Sequence, residues 1–431
     1  MSKMTYSIPY ARGHLVATID DAFVKAVLEP AEPVDKPAYS RCFSEADCIR
    51  QALTQPIASE RLSDLARSAE KVLILTSDHT RPVPSAITLP LLLEEIRLHN
   101  PVAAVKILVG TGFHRLTTRE ELLDKFGPDL VKNEQIIVHD SNDRSCLVHK
   151  GTLPSGGELW LNSLVDWADL MVAEGFIEPH FFAGFSGGRK SVLPGIAAAE
   201  TVLANHCSEF IASPYARTGI LDGNPLHVDM LYAADAAWLA FILNVALNAD
   251  KKIIRAFAGH PDKAHRAGCS WVGRRAEVSR IAADIVITSN GGYPLDQNIY
   301  QAVKGMTAGE ACVRPGGVII MVAACEDGHG GEAFYRWFAD ARSPVEVTRK
   351  ILSIARQDTL PDQWEAQILA RILEHCTVIL VTSYCDPVMI RSMHMKQADT
   401  IDEALAMART LTGEQSDIVV IPDGVAVIVQ D

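Results

Sequence analysis

The stretch GFSGGRKS, Gly184 to Ser191, sets a lysine and a hydroxyl behind a run of glycines. Its spacing nearly meets G-x-x-x-x-G-K-[ST], a loop whose backbone N–H groups cradle phosphate while the lysine reaches it. Arg189 stands where the last glycine belongs, and no clear acid follows a strand to complete a magnesium site. Nucleotide hydrolysis is therefore disfavoured. The glycine-rich backbone can still hold an anion, but Lys190 needs another use.

Other polar clusters stand where ligands of α/β sheets bind, after the carboxyl ends of strands. Asp78, His79, Thr80 and Arg81 lead DHTRPVPS, where two nearby prolines stiffen the loop and a guanidinium fork suits a carboxylate or phosphate. GTGFHR begins like a dinucleotide fingerprint, but Arg115 replaces its third glycine and no convincing acid follows at the right distance. That leaves His114 as a general acid or base on a flexible turn, or as a loop histidine without chemistry. His180 follows a proline in EPHFFAGFSGG. In IAAAETVLANHC, helical spacing puts His206 on the face of Val202 and Leu203, pointing inward as a metal ligand or a satisfied core histidine. Gln301 and Lys304, three apart, share a helix face that either reaches a ligand or meets solvent. No metal motif is recognisable by spacing, and there is no G-x-S-x-G elbow.

The elements that must position these groups alternate in a β-α-β rhythm, which implies mostly parallel, doubly wound sheets. KVLILTS (71–77), VAAVKILVG (102–110), EQIIVHD (134–140) and ADLMVAEGFI (168–177) read as strands. TTREELLDKFG reads as a helix capped by Thr117 or Thr118 and stopped by Gly127. The polar stretch GHPDKAHRAGCSWVGRR (259–275) is read as the domain boundary, with a second α/β series after it. The expectation is two α/β domains, 1–272 and 273–431, with the active site in the cleft between them. The final strand pair, DIVVIPDGVAVIV, could return to either domain. The Pro-rich piece EPAEPVDKP is expected to be an ordered arm or connection.

The chain has 431 residues, 48% hydrophobic and 22% charged, and a formal net charge of −13. That balance argues against nucleic acid or an anionic membrane as partner. Nine scattered cysteines without a C-x-x-C pair read as reduced thiols. The start MSKMTYSIPYARGH has no apolar signal region, and no run reaches the ~18 residues of a membrane helix. These observations point to a cytoplasmic protein. By themselves the residues describe a two-domain α/β enzyme acting on a small anion, with a histidine pair and a reactive lysine.

Together the stretches resemble the nickel-pincer lactate racemase family. SDHTRPVPS, GTGFHR, EPHFFAGFSGGRKSVLPGI, NHC, YQAVKG and PDQWEAQIL occur in that family's order and approximate spacing. The resemblance implies a cofactor: pyridinium-3-thioamide-5-thiocarboxylic acid mononucleotide carrying Ni(II), covalently bound to Lys190. It implies His206 as the nickel ligand, and soft sulfur donors with one imidazole suit Ni(II). It implies that Asp78, His79, Thr80, Arg81, Ser186, Gly187, Gly188 and Trp364 hold the cofactor. Arg81, Tyr300, Gln301 and Lys304 would bind substrate. The N-terminal domain would then carry the anchor and catalytic histidines, and the C-terminal domain the substrate-binding residues.

The chemistry implied is racemisation or epimerisation of a 2-hydroxy acid, with lactate as the default. The C–H beside an ionised carboxylate resists simple deprotonation, and a hydride acceptor avoids the dianion. His114 and His180 would serve as the two bases, one per enantiomer. Malate, aryl-lactates, larger aliphatic acids and sugar acids such as gluconate are alternatives. A hydroxy-acid lyase or dehydratase, or a carrier of the nickel cofactor, are readings of another class. The implied partners are the small-molecule substrate and the cofactor-synthesis enzymes; oligomeric state is open.

Overall fold

The computed structural model describes residues 3–31, 44–248 and 250–430. Residues 32–37 of the Pro-rich piece, and Cys42, lie outside the described residues. The chain forms two compact α/β units.

One unit is built on a six-stranded sheet. Its spatial order is Ile253–Gly259, Leu239–Leu247, Leu170–Phe176, Lys71–Ser77, Ala104–Gly110 and Gln135–Val138. All pairings are parallel except that between the first two. Lys71–Ser77 is buried through Val72, Leu73, Ile74 and Leu75, as its continuous apolar run requires of a strand covered on both faces. Helix Ser85–His99 contributes Leu89, Leu92 and Ile96 to the same core. Helix Arg119–Phe126 begins with a full capping box between Thr118 and Glu121 and ends at Gly127, as predicted.

The other unit holds a second six-stranded sheet, parallel throughout. Its order is Lys396–Ala398, Thr377–Val381, Val313–Val322, Ala283–Ser289, Ile418–Ile421 and Val24–Val27. An N-terminal hairpin, Lys3–Tyr10 with Gly13–Asp20, adds Ile8, Ala17 and Ile19 to this core.

Three expectations need correction. The stretch 259–275, read as the domain boundary, is not irregular but helix Pro261–Ala276, and the chain passes from one unit to the other near its end, at Arg274/Arg275. Its buried positions, Ala264, His265, Gly268, Cys269, Gly273 and Ala276, recur at helical spacing, but they are small or polar and hide the amphipathic pattern. A single cut between 272 and 273 does not describe the path either. The N-terminal strands and residues 206–214 belong with the chain from Arg275 onward, because Val24–Val27 pairs with Ile418–Ile421. Finally, helix Ala199–Asn205 stops one residue before His206. That histidine is buried, 5% exposed, but the helical face does not aim it. The last two strands both join the second unit, Ile428–Gln430 against Glu277–Ser279. No helix among the described residues is long and apolar enough to cross a membrane.

Candidate active site

In the first unit the polar groups gather on loops after strands Lys71–Ser77, Ala104–Gly110 and Leu170–Phe176. Asp78 is buried, and its Oδ1 accepts from the Thr80 backbone N–H at 3.1 Å and from the Thr80 hydroxyl at 2.6 Å. Its Oδ2 accepts from His114 Nδ1 at 2.7 Å. Burial works against the Asp78 charge, but His114, Arg81 and Thr80 outweigh it and hold the carboxyl well below the usual range. An ionised Asp78 keeps the proton of neutral His114 on Nδ1 and leaves Nε2 as the basic atom. The ring itself is 39% exposed, so a substrate can reach it.

The Arg81 guanidinium donates to the Thr80 hydroxyl at 3.0 Å. Beneath the loop, Lys125 Nζ donates to the carbonyls of Arg81 at 3.0 Å and Val83 at 3.4 Å. Burial of that amine pushes it down to about 8, against the pull of Glu174 and Asp78. Lys125 escaped sequence reasoning because a lysine in a last helical turn is ordinary there. His79 is directed to helix Arg119–Phe126: Nδ1 lies 3.3 Å from Thr117 Oγ1 and Nε2 3.4 Å from Glu121.

Lys190 lies on a short 3₁₀ turn, Gly188–Ser191. Arg189, fully buried, explains the departure from a phosphate loop. Its guanidinium donates to the carbonyls of Ala183 at 2.8 Å, Phe185 at 2.9 Å and Gly187 at 3.3 Å, stapling the loop from below. Burial lowers its pKa to about 10, so it stays a cation at neutral pH. His265, from helix Pro261–Ala276, packs under Gly188. A Cβ on Gly188 would meet the imidazole at 2.7 Å, and φ there is +55°. Asn244 Oδ1 accepts from the Gly188 N–H at 2.8 Å. The Ser186 hydroxyl donates to the Phe176 carbonyl and accepts from the Glu178 N–H, so it shapes the turn. This support brings Lys190 Nζ to 3.2 Å from His180 Nε2. The His180 ring stacks on Phe181 and meets Phe182 edge-on. Close contact between Gly110 and Gly195, where an added Cβ would lie 2.9 Å from the Gly195 carbonyl, joins the His114 loop to the turn following Lys190.

In the second unit His206 meets the Trp364 ring edge-on, with centroids 5.0 Å apart. Trp364 Nε1 donates to the Tyr300 hydroxyl at 3.0 Å. Helix Ile299–Cys312 starts at Asn298, whose side chain caps the Gln301 N–H, and Lys304 Nζ donates to Gln301 Oε1. The two residues therefore share a face, as their spacing predicts. Glu365, beside Trp364, is 1% exposed with Oε1 unpartnered. Burial raises its carboxyl to about 8, with Lys304 opposing and Asp362 adding. Glu365 gave no sequence signal, since a helical glutamate is ordinarily solvated.

The donor set is informative about a metal. Among the described residues no three His, Cys, Asp or Glu side chains cluster to hold one. The buried His206 offers one imidazole, which suits a metal only within a group that brings its own donors.

Residues 10–219 match the lactate racemase N-terminal domain and residues 278–429 the lactate racemase C-terminal domain. The lactate racemase of Thermoanaerobacterium thermosaccharolyticum is 57% identical over 424 residues, covering 98% of this chain and 99% of the relative. That of Lactiplantibacillus plantarum is 52% identical over 425 residues, with the same coverage. The solved lactate racemase apoprotein from T. thermosaccharolyticum superposes with a TM-score of 0.96 at 56% identity, covering 99% of this chain and all of that one. A Thermotoga maritima protein of 18% identity, TM-score 0.62, covering 87% of this chain and 99% of that one, shares the fold.

Proposed function

Because the chain belongs to the lactate racemase family, we propose that it is an isomerase interconverting the enantiomers of lactate in the cytoplasm. The observation that carries the reading is the pairing of a basic His114, oriented by Asp78, with a second histidine, His180, beside Lys190. The cofactor proposed is the nickel-pincer nucleotide. Lys190 would hold it covalently, His206 would ligate its nickel, and the Gly187–Gly188 turn and Trp364 would flank it. When bound, this group supplies a hydride acceptor for the substrate C2.

The protein's own residues do the rest. Arg81, Gln301 and Lys304 present donors for the substrate carboxylate and the oxygen on C2. His114 Nε2 takes the hydroxyl proton, and the Asp78 carboxylate stabilises the imidazolium that forms. His180 serves the opposite face, as inversion at C2 requires.

The test co-expresses the chain with the cofactor-making enzymes and offers single-enantiomer lactate in deuterated solvent. Racemisation that retains the C2 hydrogen, with a mass adduct mapped to Lys190 and absent from Lys190→Ala, is expected. Deuterium at C2 from the first turnover, or a fully active Lys190→Ala, would refute the proposal.

A further inference from the structure

Lys190 faces a second requirement before any turnover. Forming a thioamide requires a free amine, whereas an ordinary lysine, with a pKa of ~10.4, is almost wholly ammonium at neutral pH. The neighbouring hydrogen bonds bear on this. The Ala183 backbone N–H donates to His180 Nδ1 at 3.2 Å. An Nδ1 that accepts carries no proton, so the proton of the neutral ring sits on Nε2. Nε2 in turn lies 3.2 Å from Lys190 Nζ. Two donors cannot satisfy each other across that distance, so Lys190 completes the contact only as an amine accepting from Nε2–H. The Phe182 ring lies 5.6 Å from Nζ, at the outer edge of cation–π reach.

We infer that His180 has a role before catalysis: its Nε2–H holds Lys190 as a neutral, aimed nucleophile that acylates itself on a thiocarboxylic acid. This rests on the proposed function for the identity of the acyl group, but not for the state of the amine. In the step, Nζ attacks the carboxyl carbon of the thioacid and a C–N bond forms. The C–O bond breaks and the oxygen leaves as water, taking one proton from nitrogen and one from the thioacid. The sulfur stays in the thioamide, and nothing is oxidised or reduced. His180 Nε2–H can turn from the amine to the oxygen on which charge develops. Once acylated, Lys190 has no basic lone pair, and the Nε2 edge of His180 becomes available to substrate. Loading thus precedes and releases the histidine for its second task.

The experiment uses the full chain expressed without the cofactor-making enzymes. N-acetoxysuccinimide labels it at pH 6 to 10, and peptide mass mapping gives the acylation rate of Lys190 against the exposed Lys396. Each unit of lowered pKa raises the free amine at pH 7 about tenfold. The expected result is a Lys190 rate at pH 7 at least about tenfold above that of Lys396, levelling off at lower pH. His180→Phe, which keeps an aromatic ring against Phe181 and Phe182, should abolish the advantage; His180→Gln, which keeps a donor, should retain part of it. A Lys190 that titrates like Lys396 overturns the inference, and the wild-type profile alone decides this should a variant not fold. A fast Lys190 that gains no adduct on co-expression supports the inference and refutes the nickel-pincer reading. An adduct on a Lys190 that titrates normally does the reverse.

Discussion

His114 and His180 are both imidazoles on loops after strands, yet their nitrogens are committed oppositely. Nδ1 of His114 donates to a carboxylate, whereas Nδ1 of His180 accepts from a backbone N–H. Residue type and spacing mark both positions; only the partners decide which atom is basic. Asp78→Asn should therefore affect His114 selectively. Loss of the carboxylate removes the stabilisation of the imidazolium, and kcat should fall by roughly 10² or more with little change in the mass adduct on Lys190; loss of adduct would instead assign Asp78 to loading. Glu365 supplies a pH prediction. Its folded-state pKa is raised, so the folded chain binds that proton more tightly than the unfolded chain. Its contribution is complete below the unfolded value of ~4.3 and is lost as pH rises through about 8. Glu365→Gln should accordingly flatten the decline of Tm between pH 6 and 9, and a decline of unchanged slope would contradict the raised value.

At the scale of elements, helix Arg119–Phe126 shows how much can be read locally. Its Thr118–Glu121 box and Gly127 stop are contained in ten residues. Strands such as Lys71–Ser77 were equally legible, since a continuous apolar run forces burial on both faces. Helix Pro261–Ala276 was not, because its inward face is alanine, histidine, glycine and cysteine, and only the fold sets His265 under Gly188. Arg189 is similar: in the sequence it breaks a phosphate-loop pattern, and only the fold places three carbonyls around its guanidinium. Arg189→Met should leave those buried carbonyls unsatisfied and lower stability by roughly 3 kcal/mol in urea unfolding. It should also reduce the Lys190 adduct beyond what Ile96→Ala does. Ile96 lies in the core of the same unit, and equal adduct yields at matched stability would reduce Arg189 to a general core role.

At the scale of the whole molecule, the chain does not divide once. Strand Val24–Val27 closes the edge of the sheet formed mainly by the C-terminal half, and the Leu28 N–H reaches the Val420 carbonyl at 2.8 Å. Deleting residues 1–28 should expose that edge and remove Ile8, Ala17 and Ile19 from its core. Hydrogen exchange should then accelerate at Ile418–Ile421 and stay unchanged at Leu73–Leu75; equal acceleration at both would show that the two sheets are not independent in this respect. The amino-acid sequence by itself determined the α/β class, the strands and helices with the clearest periodicity, the polar loops after those strands and the family, because periodicity, caps and motif order are local or linear properties. Tertiary structure decided what spacing cannot carry. It put Val24–Val27 on a distant sheet edge, buried Arg189 among carbonyls, and opposed the commitments of two histidines. Each depends on a backbone group or side chain remote in sequence or turned by a loop. For the GFSGGRKS stretch the outcome is concrete: the glycines permit close approach, the arginine staples the turn, and Lys190 meets His180.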